Sequence, residues 1–304
     1  MKRFIDIAAN LTDSMFSGIY NGSLKHQADI EHVLNRSWEV GMSKIIITGG
    51  NLTESKKAVE LAKLDNRLFC TVGCHPTRCS EFDEDKNPSN YLNSLSELIE
   101  NNRNKVVALG EFGLDYDRVQ FCPKETQQKY FKLQLTLTEQ FDLPLFLHCR
   151  NAADDVYEIL KDFKCSGVIH SFDGTLEEAN KFIDLGYFIG LNGCSLKTEE
   201  NLSVVAELPV DKILIETDCP YCDIRPTHAG YQFISKDNIM PSVKKEKWNS
   251  NSLVKSRNEP CNITHVLDVI ASVKKVDSLE LCEQIFENTN KLFFKTYFVK
   301  SSFS

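Results

Sequence analysis

KVVALGEFGLD, at residues 105–115, runs from an apolar, β-branched stretch straight into a carboxylate, Glu111. An apolar run without polar alternation suits a parallel strand buried on both faces. The same pattern stands on either side of it. Upstream lie residues 3–7, 44–48 (KIIIT) and 68–72; downstream lie 143–147, 167–169, 187–191 and 212–215 (KILI). Segments of helical periodicity fill the gaps, at 31–40, 53–63, 91–101, 124–140, 152–161, 176–185 and 199–207, with Thr53 placed to cap the second. Strand then helix, repeated eight times, predicts an α/β protein built as a single (β/α)8 TIM barrel, its active site at the C-terminal ends of the strands. An open doubly wound sheet shows the same alternation, but eight strands within the first 215 residues favour the barrel. A long irregular loop follows at 219–258, then closing helices at 259–274 and 278–293. Residues 1–298 read as one domain and 299–304 as a flexible tail.

Composition narrows the class. The 304 residues are 42% hydrophobic and 26% charged, which excludes collagen-like, low-complexity and wholly disordered chains. With 35 basic and 43 acidic residues the net charge is −8, unlike a protein that holds nucleic acid on a basic surface. A nuclease is still compatible, because bound divalent ions add positive charge inside a site. Eleven cysteines, an odd number, without a secretory leader read as reduced thiols in a nuclear or cytoplasmic protein. No apolar run approaches the roughly 18 residues of a membrane-spanning helix. A monomer is expected.

Residues that follow barrel strands point into the active site. Asp6 and Asn10 belong to the first strand, His75 follows the third, Glu111 the fourth, and His148 and Arg150 the fifth. His170 follows the sixth and Asp218 the eighth. One histidine at a strand end is more often a hydrogen-bonded core residue than a ligand. Glu111, His148, His170 and Asp218 at separate strand ends outweigh that. Two imidazoles and two carboxylates suit a divalent metal, and zinc, manganese and magnesium all remain open. Glu216 reads as a supporting carboxylate beside Asp218. Cys219-x-x-Cys222 is a lone CxxC and reads as loop thiols.

Six motifs carry a family resemblance: GCHP (73–76), GEFGLD (110–115), HCRN (148–151), HSFDG (170–174), ETDCPY (216–221) and RNEP (257–260). In this order they resemble the TatD-like deoxyribonucleases, a branch of the metal-dependent amidohydrolase superfamily. FIDIAANLTD, GGN, GCHPTRC and NGCSLKTE resemble its eukaryotic branch. The resemblance implies two divalent metal ions, with magnesium foremost for activity. Glu111 would bridge them, His148 and His170 would hold the second, and Asp218 would hold the first and accept a proton from the attacking water. It places His75, Arg150, Asn258 and Glu259 near the scissile phosphate. Many relatives carry His-x-His on the first strand as ligands of the first metal. Here those positions read Ala8 and Asn10, which leaves Asp6 or Asn10 to fill that side.

The resemblance further implies a 3′-to-5′ exonuclease on single-stranded or damaged DNA ends, with endonuclease cleavage as an extension. Arg150 offers a forked donor for phosphate oxygens. A protonated His75 would stabilise the leaving group. Lys244, Lys245, Lys247 and Lys255 are read as phosphate-tracking cations. Phe112, Tyr116, Phe172 and Tyr221 stand near the mouth as candidate stacking surfaces for bases, but residues of this kind are more often core or loop packing. The alternatives are a hydrolase of small amides or esters on the same barrel, and a non-catalytic binding protein.

Overall fold

The computed structural model describes residues 2–84 and 87–294; the tail expected at 299–304 lies outside the described residues. Among the described residues, eight parallel strands follow one another in chain order. They are β1 (Phe4–Ala9), β2 (Met42–Ile47), β3 (Leu68–Val72), β4 (Val106–Asp115), β5 (Leu145–Arg150), β6 (Gly167–His170), β7 (Phe188–Leu191) and β8 (Ile213–Ile215). The helices between them are α1 (Ile30–Glu39), α2 (Leu52–Ala62), α3 (Pro88–Glu100), α4 (Lys124–Leu135), α5 (Ala153–Leu160), α6 (Leu176–Asp184) and α7 (Glu199–Glu207). The expected α/β barrel is therefore observed.

β1 and β8 close the ring through backbone bonds just past the strand ends. The Asp218 N–H donates to the Ala8 carbonyl at 2.8 Å, and the Asn10 N–H donates to the Cys219 carbonyl at 2.7 Å. Asp6 clamps the same seam. Its carboxyl accepts the Thr217 N–H at 3.0 Å and pairs with the Thr217 hydroxyl at 2.5 Å.

Strand residues divide between two apolar clusters, as period-two alternation requires. Ile5, Ile7, Ile46, Phe146, Val168 and Leu214 fill the barrel, while Phe4, Ile45, Ile47, Leu145 and Ile169 pack under the helices. After the barrel come α8 (Ile263–Lys274) and α9 (Ser278–Phe293). Leu292 and Phe293 of α9 join the inner cluster, so this helix stoppers the mouth opposite the strand C-termini.

Two local readings change. Asn51, not Thr53, caps α2: its side chain accepts the Glu54 N–H at 2.7 Å, and Thr53 is the second residue of the helix. β4 does not stop at Leu109 but continues to Asp115. Gly113 allows it, with φ at +149°; a Cβ there would stand 1.9 Å from the His148 carbonyl oxygen. Only glycine lets β4 press this closely on β5. The loop at 219–258 contains short 3-10 turns and a two-stranded pair, Ser242–Val243 with Leu253–Val254.

Candidate active site

The C-terminal ends of the strands surround a cleft of about 1110 Å³. Its floor holds Glu111 on β4, His148 on β5 and His170 at the end of β6, all buried. Nδ1 of His148 lies 2.8 Å, and Nε2 of His170 lies 2.7 Å, from one atom, Glu111 Oε1. The opposite ring nitrogens meet other carboxylates. His148 Nε2 is 3.2 Å from Asp115 Oδ2, and His170 Nδ1 is 3.3 Å from Glu216 Oε1. Each supporting carboxylate anchors its ring from the far side and leaves the other nitrogen facing Glu111. The two rings therefore meet Glu111 through different nitrogens, Nδ1 of His148 and Nε2 of His170. Glu216 is itself fixed by the Ser171 N–H at 2.8 Å and the Asn192 side-chain amide at 2.9 Å.

Two imidazoles meeting at one buried carboxylate oxygen concentrate opposite charges on this floor. Burial would raise the Glu111 pKa, but the imidazoles of His170 and His75 and the hydrogen bonds from His148 and His170 hold it well below its ordinary value. Burial would lower that of His170, yet Glu111 and Glu216 raise it well above the usual histidine range. The floor therefore draws positive charge, and two imidazoles with one carboxylate are a fitting donor set for a divalent ion. Glu111, His148 and His170 form one group of converging ligand atoms; His75, Asp115 and His148 form a second.

His75 stands beside this floor, its ring centroid 4.5 Å from that of His148 and its Nε2 3.5 Å from Glu111 Oε1. Its Nδ1 accepts the Thr77 N–H at 3.2 Å, capping the turn Pro76–Asp83. Burial pushes its pKa down to about 3, so the ring is neutral at physiological pH. The expected protonated acid is thereby replaced by a neutral donor whose Nε2–H faces Glu111.

Asp218 lines the cleft at a left-handed φ of +52°. Ser171 (φ +49°) and Cys222 (φ +53°) share that sparsely populated region, which concentrates backbone strain around the cleft. Asp218 Oδ1 accepts from the Asn10 amide at 2.9 Å, and Oδ2 accepts from the Cys222 thiol at 3.2 Å. Burial pushes the Asp218 pKa up to about 6; His170 opposes this, while Glu216 and Glu111 add to it. Ala8 contributes only its backbone to this side, so Asn10 is the polar side chain that β1 presents to Asp218.

Other expected site residues lie elsewhere. Asp6 does not line the cleft, and its carboxyl is engaged at the seam by Thr217 and the Ala8 N–H. Asn258 donates to the carbonyls of Thr217 and Tyr221, both at 2.9 Å, and so braces the loop behind Asp218. Glu259 is fully buried between Arg36 at 2.9 Å and Arg257 at 2.8 Å, and Arg257 in turn pairs with Asp29 at 2.7 Å. These residues support the site from behind and do not face it. Glu216 serves His170, where the sequence suggested a partner for Asp218.

Arg150 is in the cleft, donating to the Ser171 carbonyl at 3.2 Å and paired with Asp173. Lys244, Lys245 and Lys247 do not line it, and Lys255 faces a neighbouring pocket. The cations that do are Lys57, Arg78 and Arg118, which sequence reasoning missed. Phe112 and Phe172 are core residues, and the Tyr116 hydroxyl is bonded to Asp155. Tyr221, about half exposed, is the one of the four aromatics that lines the cleft.

Comparison with known proteins agrees with this geometry. The family described as TatD related DNase matches residues 5–294. Deoxyribonuclease Tat-D of Schizosaccharomyces pombe is 43% identical over 300 residues, spanning 96% of each chain. The 3′-5′ ssDNA/RNA exonuclease TatD of Pantoea ananatis is 30% identical over 295 residues, spanning 95% of this chain and 98% of its own. The crystal structure of a TatD family hydrolase from Entamoeba histolytica is 40% identical, with a TM-score of 0.92 over 97% of this chain and 99% of that one. A barrel with these residues at its strand ends, matched along nearly its whole length, belongs to the TatD-related DNase family.

Proposed function

We propose that the chain is a metal-dependent deoxyribonuclease that removes nucleotides from the 3′ end of single-stranded or damaged DNA. One observation carries the reading: two imidazoles, each oriented by its own carboxylate, converge on Glu111 in a cleft lined by Lys57, Arg78, Arg118 and Arg150. A small neutral amide would need no such lining, whereas a polyanion does. The polarity is supported by the name that the bacterial relative carries.

Glu111, His148 and His170 would hold a divalent ion, which would supply positive charge for the phosphoryl oxygens and acidity for a nearby water. Asp218 is placed to take a proton from an attacking water, and Asn10 fixes that carboxylate. The Arg150 fork binds a non-bridging oxygen in exchange for Asp173. The neutral His75 Nε2–H donates toward the same point. Tyr221 offers a ring on which a terminal base stacks.

The test is cleavage of an end-labelled single-stranded oligonucleotide after chelator treatment, with magnesium, manganese and zinc added back in turn. A one-nucleotide ladder from the 3′ end, restored by metal and lost in Asp218→Asn and Glu111→Ala, is the expected result. No cleavage with any of the three ions refutes the proposal.

A further inference from the structure

We propose that Cys194 and Cys222 are a modification site: a dithiol at the cleft wall that closes reversibly to a disulfide and so disables Asp218. The inhibitory half of this inference rests on the nuclease reading above; the disulfide itself does not.

All eleven cysteines are free thiols. Most are buried in the core, but Cys194 and Cys222 are only half-buried, and both line the cleft. They come from different strand-end loops, after β7 and β8, yet their sulfurs lie 3.0 Å apart. Gly193 makes this approach possible. A Cβ on Gly193 would stand 1.9 Å from the Cys222 carbonyl oxygen, so the two loops meet backbone to backbone. The partner of Cys222 is therefore not Cys219, three residues before it, which is buried on the seam. Closing the bond needs the sulfurs to approach from 3.0 Å to about 2.05 Å, a small motion for side chains on two loops.

The consequence falls on two carboxylates of the site, Asp218 and Glu216. Cys222 Sγ donates to Asp218 Oδ2 at 3.2 Å, and a disulfide sulfur has no proton to donate. On the other loop, the Cys194 N–H donates to the Asn192 side-chain Oδ1 at 2.8 Å, and Nδ2 of the same side chain donates to Glu216 at 2.9 Å. A pull on Cys194 is thus transmitted to the residue that orients His170.

Oxidised glutathione is a sufficient oxidant. One protein sulfur attacks a glutathione sulfur, breaking its S–S bond and releasing one glutathione, which takes up the attacking thiol's proton. The second protein sulfur attacks the mixed disulfide and releases the other glutathione, which takes up the second proton. Two electrons pass from the protein to glutathione, and each step conserves one S–S bond.

The experiment incubates the full chain in glutathione buffers of graded oxidised-to-reduced ratio, then maps peptides without reduction and assays cleavage of a labelled oligonucleotide. A Cys194–Cys222 linked peptide is expected, with the rate falling roughly tenfold or more in step with it and recovering in dithiothreitol. Cys194→Ser and Cys194→Ala should each hold their own untreated rate through the same series. Absence of the linked peptide across the series, glutathione retained on either cysteine as the end product, or a linked peptide with an undiminished rate would each overturn the proposal. A chain inactive before oxidation refutes the nuclease reading instead, and the peptide map then decides the disulfide alone.

Discussion

Asp115 Oδ2 faces Nε2 of His148 at 3.2 Å, on the side of the ring turned away from Glu111. Both carboxylates belong to β4, four residues apart on one strand, so a single element supplies the proposed metal ligand and the group that aims its neighbour. Asp115→Ala frees the ring to turn. Divalent-ion affinity, measured by calorimetry on the chelated protein, should fall about 10- to 100-fold. Asp115→Asn keeps a carbonyl that accepts the Nε2–H and should recover part of the loss. Equal affinity in all three proteins would remove Asp115 from this role.

Asp218 acts as proton acceptor only when ionised. Burial pushes its pKa up to about 6, and a bound cation moves it only downward. The acid limb of kcat/KM should therefore sit at or below pH 6, with the rate dropping tenfold per pH unit beneath it. Asp218→Asn should lower the rate roughly 10²- to 10⁴-fold and abolish that limb. A variant that keeps the limb would assign the proton to another group.

Asp6 links the seam to pH. Burial raises its pKa from 3.8 to about 8, against the hydrogen bonds of Thr217 and Ala8. Between those values the folded chain keeps a proton that the unfolded chain has lost. This contribution to stability is full below pH 4 and drains away as pH rises through 8, by a few kcal/mol as an order of magnitude. Asp6→Asn can keep the contacts to Thr217 without titrating. Urea midpoints of wild type and Asp6→Asn at pH 5 and pH 8 should converge at one end and separate at the other, with wild type losing more on going to pH 8. Parallel shifts in the two proteins would count against the assignment.

The cleft cations should govern how salt weakens binding. Each phosphate contact to single-stranded DNA contributes about 0.7 to the log–log slope. Arg150→Ala and Arg118→Ala should each flatten the slope by about that amount. Neutralising Lys244, Lys245, Lys247 and Lys255 together should leave it unchanged, since none of them lines the cleft. Fluorescence anisotropy across a salt series, with chelator present to prevent turnover, separates the two sets.

Much of this was legible because each polar site residue interrupts an otherwise apolar run. Glu111, His148, His170 and Asp218 stand out against KVVAL, the segment 143–147, the segment 167–169 and KILI, and the barrel brings them to one end. Asp115 is missed because the apolar run that marks the strand ends at Leu109, ahead of Gly110 and Gly113. Continued through the glycines, residues 111, 113 and 115 share one face, and the pairing becomes visible. Glu259 is placed at the phosphate for a different reason. Its partner Arg36 lies 223 residues away, and Asp29, the partner of its neighbour Arg257, lies 228 away from that residue; local sequence carries no trace of such contacts. Charge also misled: the lysine run is conspicuous in one dimension, whereas Lys57 on α2, Arg78 in the turn Pro76–Asp83 and Arg118 past β4 are scattered singly and meet only in the folded cleft.

The seam between β1 and β8 bears on how this chain is made. Asp6 and Thr217 are separated by 211 residues, and Asp218 reaches its position only when its N–H finds the Ala8 carbonyl. A ribosome-bound chain that has emerged through β6 already displays Glu111, His148 and His170, but not the proton acceptor proposed for them. On the proposed function, ring closure is then the last step in arming the site, and a chain that has not yet reached β8 lacks its proton acceptor.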